Sequence, residues 1–105
     1  MDESPLTANP FGDALRAYRE RRSASVASVA LEVGVHRSYL HLLETQRGTW
    51  LNRPRSGATP VQPSRDLVIR LALALGLTVD ECDDLLAIAG YAPLYPIERR
   101  LRRMP

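Results

Sequence analysis

Val29-Ala30-Leu31-Glu32-Val33-Gly34-Val35-His36-Arg37-Ser38-Tyr39-Leu40-His41-Leu42-Leu43-Glu44 is the stretch on which the fold turns. Val29, Ala30 and Val33 recur at helical spacing and make one apolar stripe, and Ser25 stands where it can cap their helix. Gly34 ends that helix, because glycine takes a left-handed C-terminal conformation without a side-chain clash. Val35 enters a short turn, and a second helix is expected from about Arg37 to Thr45 with Leu40 and Leu43 on its inner side. Two helices that meet steeply over three or four residues need a small residue at their close approach, a positive φ at the turn and apolar seats for the second helix. Ala30, Gly34, and Val35 with Leu40 and Leu43 supply all three.

Outward from this unit the helical pattern continues in both directions. Asn9-Pro10 is a capping residue followed by proline at a first helical position, and Phe11, Leu15 and Tyr18 follow at helical spacing. The spacing predicts a helix over about 10–22, with Arg16, Arg19, Glu20, Arg21 and Arg22 set mostly outward. Residues 48–63 read as a loop, punctuated by Asn52, Pro54, Ser56, Gly57, Pro60 and Pro63. Ser64 caps a fourth helix in which Leu67, Val68, Leu71, Ala72 and Leu75 pack inward and which Gly76 ends. Thr78-Val79-Asp80-Glu81 has the form of a capping box and opens a fifth, with Leu85, Leu86 and Ala89 inward and Gly90 as its stop. Pro93 and Pro96 break the chain, and Pro96 can start a short basic sixth helix. No strand pattern and no internal repeat stands out. The expected organisation is a disordered 1–9, one all-α domain over 10–91, and a basic extension over 92–105.

Composition narrows the function classes. At 105 residues, 45% hydrophobic and 25% charged, the chain suits one soluble domain with one core. It has no apolar run long enough for a membrane span, and its acidic start lacks the basic-then-apolar order of a secretory signal, so a cytoplasmic protein is expected. Cys82 stands alone and reads as a small buried residue. With only His36 and His41 beside it, a metal site is not expected. No nucleophile–base pair or phosphate loop is visible, so neither catalysis nor a cofactor is expected. The net charge is only +2, but the charges are unevenly spread and every basic residue is arginine. Residues 47–65 carry arginines and no acid, the tail holds Arg99, Arg100, Arg102 and Arg103, and Asp80, Glu81, Asp83 and Asp84 form an acidic cluster. Such a chain can present one face to an anionic polymer and keep the other away.

Several blocks resemble, in order, the phage-repressor and Cro type of helix-turn-helix regulators, the xenobiotic-response-element family. They are Phe11-Gly12-Asp13-Ala14-Leu15-Arg16, the stretch quoted above, Arg70-Leu71-Ala72-Leu73-Ala74-Leu75-Gly76-Leu77, and Ala89-Gly90-Tyr91-Ala92-Pro93. The resemblance implies a five-helix, lambda-repressor-like domain that binds operator DNA as a transcriptional regulator, a repressor in the first instance, commonly as a homodimer. The chain departs from the family at Val26, where a phosphate-binding Gln is usual, and at His36, where Ser or Thr caps. It departs again at Leu42, a common polar base-reading position, at apolar Leu31, and in its longer loop after the third helix. These departures keep open an alternative: a degenerate helix-turn-helix that docks a protein partner, as an antitoxin or co-regulator does.

On the DNA reading, Arg37, Ser38, His41 and Leu42 face base edges in the major groove, and an Arg at the helix start pairs with guanine O6 and N7. Ser25, Tyr39, Arg47, Arg53 and Arg55 are candidates for phosphate contact. Tyr39 alternatively packs over the turn, Leu42 belongs to the groove or to the core's edge, and Trp50 anchors the loop or stacks on a partner. Leu94, Tyr95, Ile97 and Leu101, with the fifth helix, are candidates for a dimer interface or for folding back on the chain's own core.

Overall fold

The computed structural model describes residues 8–50 and 60–94. Arg53, Arg55, Tyr95, Ile97, Leu101, the tail arginines and residues 1–7 of the segment 1–9 expected to be disordered lie outside the described residues, and Asn9, the last of that segment, is buried. The described chain is all-helical: α1 (Pro10–Arg21), α2 (Val26–Val33), α3 (Arg37–Thr45), α4 (Arg65–Ala74) and α5 (Val79–Ala89), with no strand among the described residues.

Four of the five helices begin where a short polar side chain satisfies an orphan amide. Asn9, Ser25, Ser64 and Thr78 accept the backbone N–H of Gly12, Ser28, Leu67 and Glu81 respectively, and Glu81 returns a contact to the Thr78 amide to complete the capping box. Gly34 ends α2 at φ +79°, which a side chain would strain, and brings Val35 back to donate to the Ala30 carbonyl at 3.0 Å.

The helices close around one apolar cluster. Phe11 and Leu15 of α1, Val29 of α2, Leu40 and Leu43 of α3, Val68 and Leu71 of α4, and Leu85, Leu86 and Ala89 of α5 are all buried. Each large member contributes about 1.5–3 kcal/mol relative to exposure. α1 packs on α3 and α5, α2 on α3 and α4, and α4 on α5. The apolar stripe of α5 is therefore used within the chain. Cys82 is buried as expected, and burial followed by the Asp83 carboxylate pushes its thiol up, which keeps it protonated.

Arg19 corrects the outward reading of its helix. Its side chain is 14% exposed and forms a two-pronged ion pair with Glu44 of α3, Nε to Oε2 at 2.7 Å and Nη2 to Oε1 at 2.9 Å. The remaining prong donates to the Ala24 carbonyl at 2.9 Å. One guanidinium thus ties α1, the entry to α2 and the last turn of α3. Arg21 is also engaged, lying over the Tyr18 ring and pairing with Glu81 at 2.7 Å. Among the described residues no helix is long and apolar enough to cross a membrane.

Candidate nucleic-acid interface

On α3 the inner positions Leu40, Leu43 and Glu44 are buried, which turns Arg37, Ser38, His41, Leu42 and Thr45 to the surface. Four of these five are polar, and Leu42 is 40% exposed. Arg37, Ser38 and His41 line a shallow groove whose other wall is Val26 and Ala27, at the start of α2. The four residues expected to face base edges are thus together on one exposed face, and three of them share the groove.

The cation on this face, Arg37, is uncompensated. Arg16, Arg19, Arg21, Arg22 and Arg70 each have a carboxylate partner. Arg37, at the first residue of α3, Arg47, two residues after its last, and Arg65, at the first residue of α4, are exposed and pair with none among the described residues. Ser25 is exposed at the head of α2, its oxygen already accepting the Ser28 amide at 3.0 Å. Tyr39 is half-buried against the core, and desolvation followed by neighbouring Tyr91 pushes its phenol up.

His36 caps α3 despite being a poor capping type. Its Nδ1 accepts the Ser38 amide at 3.1 Å and contacts the Ser38 hydroxyl. The other end of α3 is held by long-range side-chain contacts. Asn9 Nδ2 donates to the carbonyls of Leu43 and Gln46, both at 3.0 Å. Gly12 sits so near this turn that a Cβ would lie 2.6 Å from the Glu44 carbonyl oxygen and 2.7 Å from that of Leu43. The Gln46 side chain then bridges to Val61, accepting its N–H and donating to its C=O, each at 2.8 Å.

The loop after α3 is anchored at both ends. The Trp50 indole donates to the Ala89 carbonyl at 3.0 Å and meets Phe11 edge-on at 6.1 Å between centroids. From the far side of the loop, Gln62 Nε2 donates to the same carbonyl at 3.0 Å, and the Tyr91 hydroxyl donates to Pro63 at 2.7 Å. Trp50 therefore takes the anchoring alternative. Leu94, expected at an interface, is 36% exposed, and its N–H donates to the Asp83 carboxylate at 2.8 Å.

Asn9, Gly12, Arg19, Glu44 and Gln46 position α3, a role the sequence reading assigned to none of them. Glu44 had a signal: with Leu40 and Leu43 it completes an i, i+3, i+4 inner stripe, so spacing alone marks a carboxylate on the buried side. Among the described residues no group of three or more His, Cys, Asp or Glu side chains is placed to hold a metal ion. Compared with protein-family models, with curated proteins and with solved structures, the chain has no significant match.

Proposed function

We propose that the protein is a sequence-specific double-stranded DNA-binding regulator of the helix-turn-helix kind, a repressor by default, in which α3 lies in the major groove. The observation that carries this reading is the pair of free guanidinium groups. Arg37 and Arg47 bracket α3 in sequence, whereas of the other six described arginines five are paired with carboxylates and one, Arg65, is unpaired at the head of α4. Phosphate-rich duplex DNA rewards unpaired cations beside a helix narrow enough for the groove. On this reading Arg37, Ser38, His41 and Leu42 address bases, and Ser25 and Arg47 address phosphates. A two-fold dimer would set two such helices about 34–36 Å apart and imply an inverted repeat in the operator. Selection of duplexes from a random pool by the full chain tests the proposal. An enriched motif bound far more tightly than random duplex is expected; a pool that stays random overturns it.

Leu31, at 83% exposure on α2, and Leu42 are the observations that favour a protein partner instead. The two readings separate on Leu31→Ser. Duplex binding unchanged by that substitution is expected for the DNA reading, and a chain that binds no duplex but captures a protein through Leu31 and Leu42 would replace it.

A further inference from the structure

Two contacts at the start of α3 converge on one atom. His36 Nδ1 accepts the Ser38 backbone N–H at 3.1 Å, and the same nitrogen touches Ser38 Oγ. A ring nitrogen that accepts an N–H holds a lone pair, which puts the ring hydrogen on Nε2. The hydrogen in the second contact therefore belongs to serine, and Ser38 donates to His36. A hydroxyl has one proton and two lone pairs. With its proton turned back toward His36, it offers only lone pairs to anything lying on α3, and Ser38 is exposed on the groove that Arg37 and His41 also line.

A free serine reads hydrogen-bond donors and acceptors alike. We infer that His36 is a positioning residue that makes Ser38 an acceptor-only reader, selecting a base with an exocyclic amino group, adenine N6 or cytosine N4. Guanine O6 and N7 and thymine O4 would set lone pair against lone pair. The neighbouring Arg37 has the opposite polarity, with donors only, so adjacent side chains demand opposite edges. This inference rests on the reading that α3 enters the major groove.

The test uses the full chain and duplexes differing at single base pairs of the motif selected from a random pool. Ser38→Ala identifies the position at which discrimination is lost. There the unsubstituted chain should prefer adenine or cytosine over guanine or thymine on the contacted strand by about 3- to 10-fold, the value of one hydrogen bond; comparing adenine with cytosine names the base. His36→Ala releases the hydroxyl and should reduce that preference to about twofold or less. His36→Asn, whose carbonyl again accepts both protons, should restore it. A guanine or thymine preference at that position, or a preference unmoved by His36→Ala, overturns the inference. So does a Ser38→Ala variant with no altered position. Nitrogen NMR of the unsubstituted free chain gives a readout that no variant's folding can confuse: an Nε2–H imidazole at neutral pH is expected, and an Nδ1–H tautomer overturns the inference. If no motif is enriched at all, the DNA reading falls and takes the inference with it, whereas a clear motif indifferent to His36 removes the inference alone.

Discussion

The two ends of α3 are built differently. Its last turn is immobilised by neighbours distant in sequence: Asn9 on two carbonyls, Gly12 in near contact with the backbone, Arg19 paired with Glu44, and Gln46 bridged to Val61. Its first two residues, Arg37 and Ser38, are exposed, and its cap is the local one from His36. A helix held at one end and free at the other is a mounted probe. Substitutions at the held end should change stability, and substitutions at the free end should change what α3 binds.

The largest effect should come from the mount. Gly12→Ala drives a methyl into two carbonyl oxygens of α3, and Glu44→Ala leaves Arg19 without its buried partner. The first should cost at the upper end of about 1–3 kcal/mol and the second about 3 kcal/mol or more. Urea unfolding measures both. Loss below about 0.5 kcal/mol in either would mean that α3 is not held as described. Next comes the free end. Arg37→Ala should weaken binding to the selected duplex by about 1–3 kcal/mol and leave the melting temperature unchanged, which fluorescence titration beside a thermal melt resolves. A lowered melting temperature with intact binding would reverse the roles of the two ends.

Smaller still is Arg47→Ala, just beyond the mount. It should weaken all duplexes evenly and lower the slope of log K against log salt by about one unit, since it addresses phosphate rather than sequence. A sequence-selective loss would make it part of the probe. The smallest expected effect lies away from α3. Glu81 is held at about 2, against 4.5 for the ordinary group, by Arg21 and by the Thr78 amide. Because the folded value is the lower one, this stabilisation is complete above pH 4.5 and is lost as the pH falls toward 2. Comparing acid unfolding of the chain with that of Glu81→Gln should show a shallower dependence in the variant within that window, and a small one, since both partners are solvent-exposed.

These differences follow the range of the forces involved. Ser25, Ser64 and Thr78 cap helices through amides two or three residues away, so their role is written in adjacent letters. The inner stripes of α3, α4 and α5 are legible for the same reason, because periodicity is a property of one helix alone. Arg19 is read as outward by its own helix, and only the crossing of α1 over α3 gives it Glu44. Asn9 is legible as the cap of α1, but its second function, on the Leu43 and Gln46 carbonyls, depends on a chain segment more than thirty residues away. His36 shows a third case: its type argues against capping, yet an imidazole nitrogen carries the lone pair that the task requires.

Trp50 and Gln62 donate to one and the same oxygen, that of Ala89. Two side chains twelve residues apart are therefore drawn to one point of the folded body, like thread drawn twice through one eyelet. For a chain whose two ends are pinned together, the entropic cost of closure rises only logarithmically with length, about 0.6 kcal/mol for each doubling. An insert spliced between these two side chains should leave the thermal transition nearly where it was, which makes this eyelet the natural place to graft a peptide or lengthen the protein's reach along a groove.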